Sequence, residues 1–346
     1  MIRKCFVLML AVAFVLALVG CSEGSSSNAD GNSGTNDAGE NNAAGNAASG
    51  NADNGDLLIG ASVPSLEFTF FVAAQKSWEE AADELGVEAP FYNAEDNQSK
   101  QNQDLEDMVT RGVDAIVVIP ITTEGAVPAI KYANENGVPV FTVDRSAEGE
   151  DVEVVAHIGT NHVDMGEKAA QQFLEGLEER HPDVETWKVA ELEGTPGSSA
   201  AIERGQGIHN VLEADDRVEI VTSLTGEFSS TVALDVAEDI LTSNPELHGI
   251  ISHNDMMIEG ALQAASAANR ADELVLVGMD GQKSTVQHII EGNIYGTSLQ
   301  LPSMLGDGLR TAVDYLNGED VEENVWVPTE LIDSSNAEEM LETEAW

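Results

Sequence analysis

The chain has 346 residues, of which 62 are acidic and 15 basic, giving a formal net charge of −47. That length allows two domains with cores of their own, while the charge excludes nucleic-acid binding through phosphates, which needs a basic patch, and opposes contact with anionic lipid head groups. Cys5 and Cys21 are the only cysteines and both precede the folded part, which excludes a disulfide, a cysteine-ligated metal or a cysteine nucleophile there.

Residues 1–20 begin with Arg3 and Lys4 and continue in an apolar run from Phe6 to Val19. This reads as a lipoprotein signal peptide, too short for a comfortable membrane span. The run ends in Leu18-Val19-Gly20-Cys21, which resembles a bacterial lipobox. Lipidation of Cys21, and hence an extracytoplasmic position anchored to the cell membrane, is the expectation. Apart from Cys21 and Thr35, residues 21–56 are Asn, Gly, Ala, Ser and acidic residues, with no Leu, Ile, Val, Met or aromatic. Such a segment buries too little apolar surface to offset ordering, and reads as a disordered tether.

From Leu57 strand-like and helix-like segments alternate. Strands are expected at 57–63, 87–93, 115–119, 138–143 and 152–158, with helices at 70–86, 96–112 and 123–137 between the first four. A second run follows. Met165, Ala169, Phe173 and Leu177 recur at i+4 and mark one helix face. Strands are expected at 187–192, 218–224, 247–252, 274–277 and 294–299, with further helices at 198–212, around Val232, Val236 and Ile240, and from Met256, Ser284 and Pro302. Strands alternating with helices imply parallel sheets with right-handed crossovers. The count exceeds the eight strands of a closed barrel, so the fold class is α/β, with two doubly wound parallel-sheet domains.

Polar groups stand where these strands end, the position at which open parallel sheets bind ligands. Val140-Phe141-Thr142-Val143 stops in Asp144-Arg145, a carboxylate beside a rigid fork of donors. Asn254-Asp255 follows 249–253, Asp280 follows 276–279, Gln300 ends 296–299, and Arg204 lies in the helix after Gly194-Thr195-Pro196-Gly197. Phe68, Phe70 and Phe71 cluster beyond the first strand, and Phe228 follows a later one. Planar polar groups with aromatic faces suit a sugar, whose hydroxyls bond in plane and whose C–H faces stack on rings. Plainer roles are open to the same residues: helix caps for Asn254, Asp255 and Asp280, core for Phe70 and Phe71, surface for Arg204, a strand-end ion pair for Asp144 and Arg145. The glycine-rich turn at 194–197 lacks the lysine of a P-loop and a dinucleotide glycine triplet, so a tight turn is favoured over a phosphate cradle. His157, His162 and His253 near the strand ends read as structural. No metal-ligand pattern, cofactor motif, Ser/His/Asp order or paired catalytic carboxylates emerge.

The segments TFFVAAQKSWEEAADELG, VPVFTVDRS, GSSAAIERGQG, HNDMMIEGAL, LVGMDG and SLQLPSMLG, in this order, resemble the ribose-binding protein family, type I substrate-binding proteins of sugar ABC transporters. The resemblance covers about Leu57 to Ile332. It implies two similar α/β lobes joined by three crossovers near Asn161, Gln300 and Pro328, with lobe boundaries of 57–160 plus 301–328 and 161–300 plus 329–346. It implies that Phe70, Phe71 and Phe228 flank the ligand, that Asp144 and Arg145 bind it from the first lobe, and that Arg204, Asn254, Asp280 and Gln300 bind it from the second lobe and the crossover. Two positions depart: Phe68 and Ile119 stand where ribose binders carry asparagines. The implied function is capture of a monosaccharide or polyol by a monomer and its delivery to a membrane ABC permease, without catalysis. A receptor presenting a sugar or autoinducer to a chemoreceptor or sensor kinase is the alternative. The dispersed acidity suggests a heavily hydrated surface and a saline or alkaline habitat.

Overall fold

A computed structural model describes residues 57–346; the stretch read as a signal peptide, Cys21 and the tether expected at 21–56 lie outside the described residues. The first run forms β1 (Ile59–Val63), α1 (Thr69–Leu85), β2 (Phe91–Asn93), α2 (Gln98–Arg111), β3 (Ala115–Val118), α3 (Val127–Glu135), β4 (Val140–Val143) and β5 (Ala156–Gly159). The second comprises α4 (His162–Arg180), β6 (Trp187–Glu193), α5 (Ser199–Leu212), β7 (Val218–Thr225), α6 (Ser230–Ser243), β8 (Gly249–Ser252), α7 (Asp255–Ala267), β9 (Val275–Asp280), α8 (Lys283–Ile290) and β10 (Gly296–Leu299). The chain closes with α9 (Met304–Leu316), β11 (Asn324–Trp326), β12 (Leu331–Asp333) and α10 (Ala337–Thr343).

Two six-stranded sheets result, ordered β11-β5-β4-β3-β1-β2 and β12-β10-β9-β8-β6-β7. Every pairing is parallel except that of β12 with β10. The mostly apolar strands β1, β3 and β4 are buried at every residue, as strands covered by helices on both faces must be. The predicted stripe Met165, Ala169, Phe173 and Leu177 is the buried face of α4. Side-chain caps from Asn97, Asn161, Ser198, Ser229 and Asn254 start five helices where the chain leaves strand geometry.

Three short elements escape sequence patterning: β11, β12 and α10. Three-residue strands carry no periodicity, and β12 is set only by its antiparallel register with β10. The helix expected at 123–137 begins later, at Val127. Pro128 suits a first turn, and the preceding residues are held in a turn by the Gly125 N–H donating to Thr122 Oγ1 at 3.2 Å.

The chain passes from the first sheet to the second after β5, returns after β10, where α9 packs on α1, β4 and β5, and crosses again between β11 and β12. The carboxyl ends of β4, β8, β9 and β10 consequently lead into residues that face one another across the gap between two α/β lobes.

Candidate functional site

All ten candidate residues line one cavity. Phe68, Phe70, Phe71, Asp144 and Arg145 come from the first lobe, Arg204, Phe228, Asn254 and Asp280 from the second, and Gln300 from the return crossover; Ala200 completes the lining. Asp144, Arg145, Arg204, Asp280 and Gln300 are all at least 95% buried. Buried charge persists only when paired and hydrogen-bonded, and here the pairs span the lobes. Gln300 Nε2 donates to Asp144 Oδ1 at 2.5 Å, while Gln300 Oε1 accepts from Arg204. Arg204 also donates to Asp280 Oδ1 at 3.3 Å and to the His253 carbonyl.

His162, the first residue of α4, completes the connection. Its Nδ1 accepts from Arg204 Nε at 3.3 Å, so its hydrogen is on Nε2, which donates to the Asp144 carbonyl at 2.9 Å and lies 3.2 Å from Asp144 Oδ1. Burial alone raises the pKa of Asp144, but the hydrogen bond from His162 and the charges of Arg145 and Arg204 outweigh it and leave the carboxyl at about 2. The opposite balance holds across the gap. Burial pushes the Asp280 carboxyl up, Arg204 draws it back only in part, and the charge of Asp144 adds to the rise. Burial and the charge of Asp280 likewise raise Asp255, which accepts from the Gly281 and Gln282 N–H groups at 2.8 Å each and from Thr297 Oγ1 at 2.7 Å. Asp255 thereby fixes the turn that presents Asp280.

Arg145 is framed by rings from both lobes: its guanidinium carbon lies 5.5 Å from the Phe71 centroid and 5.2 Å from that of Phe228. Nη1 donates to the Ile121 carbonyl at 3.1 Å, and Nε is buried without a hydrogen-bond partner. Such a donor costs about 1–3 kcal/mol unless something accepts from it.

Three residues of this lining carry backbone strain. Asp144, Phe228 and Asp280 have φ of 60°, 57° and 139°, values that non-glycine residues seldom adopt and that cost about 1–3 kcal/mol each. The glycine-rich turn at 194–197 serves one of them. A Cβ on Gly194 would lie 2.0 Å from Phe228 Cζ, so only glycine lets that ring settle over the turn. The Gly194 N–H donates to His253 Nδ1 at 3.2 Å, and His253 Nε2 donates to Glu191 at 2.9 Å. His157 bonds Thr142 at 2.9 Å, so all three cleft histidines are engaged with protein groups.

The plainer roles apply in part. Asn254 caps α7 through the Met257 N–H at 2.9 Å and also lines the cavity. Phe70 and Phe71 are both core and lining. Asp280 caps no helix: the residue before α8 is Gln282. Arg204 is 3% exposed, which rules out the surface role. The two departures from the ribose-binder pattern part company. Phe68 is at the cavity, whereas Ile119 is fully buried in the first-lobe core, where a branched apolar side chain packs among strand neighbours. Sequence reasoning did not anticipate His162 as a bridge between Asp144 and Arg204; its place just after β5 was the only signal.

Residues 59–320 match the periplasmic binding protein domain. The chain belongs to the periplasmic binding protein family. It is a type I substrate-binding protein of the sugar ABC-transporter class, and its relatives are transport proteins rather than enzymes. It is 35% identical over 277 residues to the ribose import binding protein of Bacillus subtilis, covering 80% of this chain and 87% of that one. It is 32% identical over 287 residues to the D-apiose import binding protein of Actinobacillus succinogenes, covering 82% and 90%. The solved myo-inositol binding protein of Caulobacter, bound to myo-inositol, superposes with a TM-score of 0.76 at 30% identity, over 82% of this periplasmic binding protein and 95% of the Caulobacter chain. Among the described residues no helix is long and apolar enough to cross a membrane, and no three His, Cys, Asp or Glu side chains gather as a metal site.

Proposed function

We propose that this protein captures one monosaccharide or polyol between its lobes, 57–160 plus 301–328 and 161–300 plus 329–346, and delivers it as a monomer to an ABC importer. The carrying observation is the convergence of Asp144, Arg145, Arg204, Asn254, Asp280 and Gln300 with four phenylalanines on one cavity at the lobe boundary. Ligand hydroxyls would replace the bonds these groups now make with one another, which favours closure through contacts available only when both walls are near. Open lobes would hinge at the three crossovers.

The ligand class is a ring of adjacent hydroxyls. Relatives named for ribose, D-apiose and myo-inositol support this reading. Phe68 supplies an apolar ring where ribose binders carry an amide, and a buried hydroxyl left without its partner there would cost about 1–3 kcal/mol. A ligand with fewer or differently placed hydroxyls on the first-lobe side therefore fits better than ribose. Lipidation at Cys21 would hold the protein outside the membrane near its permease, with the tether giving a coil-like reach on the order of 30 Å. The dispersed acidic surface suits a saline or alkaline setting.

A thermal-shift panel of pentoses, hexoses, deoxysugars and polyols in high salt tests the reading, because a bound ligand raises the melting temperature by mass action. At least one sugar or polyol should stabilise the wild type and leave Asp144→Ala unmoved. Equal shifts in both proteins would place binding elsewhere. Ribose affinity in the nanomolar-to-low-micromolar range would overturn the role given to Phe68.

A further inference from the structure

Trp346 is not part of the cavity lining, yet it touches three residues that are. Its Nε1–H is shared between two carbonyl oxygens, that of Asp280 at 3.0 Å and that of Gln300 at 2.8 Å. Its ring meets Phe70 edge to face, with centroids 5.5 Å apart and planes at 75°. The residues leading to it belong to the second lobe, where Ala337, Met340 and Ala345 are buried in the core. Trp346 itself packs on the core of the first lobe. Its carbonyl accepts from the Lys283 N–H at 2.9 Å, which fixes the segment beside the turn after β9. A second contact crosses the same rim, Thr69 Oγ1 donating to Gln282 Oε1 at 2.7 Å.

We propose that Trp346 is a positioning residue that couples lobe closure to the placement of Asp280 and Gln300. Asp280 and Gln300 stand at the ends of adjacent strands, joined there by the Gln300 N–H donating to the Asp280 carbonyl at 2.8 Å. Beyond this point the ladder stops, and one indole N–H holding both carbonyls sets how far the two side chains enter the cavity. The ring contact acts on closure itself. Phe70 belongs to the first lobe, so its packing on Trp346 exists only when the lobes are together and adds to the closed state alone. The ligand side chains are thus aligned in the geometry that closure completes. The proposal rests on the sugar-binding reading of the cavity.

The indole also gives the test its signature. Trp78 and Trp187 give their indole N–H groups to the Ala89 and His181 carbonyls and Trp326 lies on edge strand β11, so Trp346 is the tryptophan whose N–H bonds to cavity residues. The full chain, Trp346→Phe and Trp346→Ala are titrated with ribose, myo-inositol, D-allose and fructose by calorimetry and tryptophan emission. Small-angle scattering of the ligand-free proteins follows. Trp346→Phe keeps a ring against Phe70 and loses the shared N–H. It should weaken binding about tenfold, as expected for one lost hydrogen bond, mainly through faster dissociation. It should also abolish the ligand-induced emission change while melting near the wild-type temperature. Trp346→Ala should bind more weakly still and show a larger radius of gyration without ligand. Wild-type affinity in both variants, or an unchanged emission response in Trp346→Phe, overturns the proposal. If the wild type binds none of the four, the sugar reading fails for them and scattering alone decides Trp346: an expanded Trp346→Ala upholds its clasp across the lobes, and an unchanged one removes it.

Discussion

Gln300 donates its side-chain amide to Asp144 at 2.5 Å, joining the crossover from the second sheet to the end of β4 in the first. The same amide accepts from Arg204, and Arg204 reaches Asp280. One uninterrupted set of charge-assisted hydrogen bonds therefore runs from wall to wall, and each member is oriented by at least one other. A polyhydroxylated ring inserted here meets donors and acceptors already held in place.

Replacement of either terminal carboxylate of this set should remove binding. Asp144→Ala removes the acceptor of the Gln300 amide and the carboxylate beside Arg145, and Asp280→Ala removes an acceptor of Arg204; breaking a buried charge pair in this way costs about 2–5 kcal/mol, or a loss of roughly 30-fold or more in affinity. Calorimetry with the best ligand of the panel measures it, with circular dichroism confirming an intact fold. Near wild-type affinity in either variant would mean that the cleft is misassigned.

Acid should weaken the fold through Asp144. Its folded pKa of about 2 lies below the value of about 3.9 for an unfolded aspartate, so its contribution is fully present above the unfolded value and is lost as pH falls through the folded one. The difference corresponds to roughly 2–3 kcal/mol at neutral pH. Between about pH 4 and pH 2 the wild type should lose more stability than Asp144→Asn, followed by denaturant unfolding at each pH. Parallel curves would contradict the stated environment of Asp144.

Gly194→Ala should damage the ligand site more than the fold. The new methyl would meet the Phe228 ring at 2.0 Å, and Phe228 would have to leave its position over Arg145. An affinity loss of about 10-fold, with a drop in melting temperature of only a few degrees, is expected for a displaced aromatic wall. Unchanged binding would show that Phe228 does not contact the ligand.

Phe68→Asn should shift selectivity. It replaces an apolar edge of the cavity by an amide able to pair with one hydroxyl, so the ratio of ribose affinity to deoxysugar affinity should rise about 5- to 10-fold. Competition titrations give the ratio directly, and a ratio that stays constant would remove Phe68 from the specificity argument.

Salt should stabilise the chain. With 62 acidic against 15 basic residues, self-repulsion opposes compaction, and raising salt from about 0.1 to 1 M shortens the screening length from about 10 to 3 Å. The melting temperature should climb over that range by several degrees or more. A flat response would separate the acidic surface from any saline adaptation.

Two α/β lobes and the strand-end positions of the candidate site are legible in local signals along the chain. Buried parallel strands are continuous apolar runs such as Ala115–Val118, helices carry their caps and stripes, and polar residues stop those runs at the ends that face a cleft. The tertiary structure decided what no local pattern encodes. Asp144 and Asp280 look alike as strand-end aspartates, yet one is held well below and the other above the ordinary carboxylate range, because their partners arrive from distant segments. Phe68 and Ile119 look alike as apolar replacements, yet only Phe68 reaches the cavity. His162 and Trp346 carry no motif, and their roles exist only where the two lobes meet. Hydrophobic periodicity is a property of neighbours in the chain, whereas pairing, burial and charge balance are properties of neighbours in space.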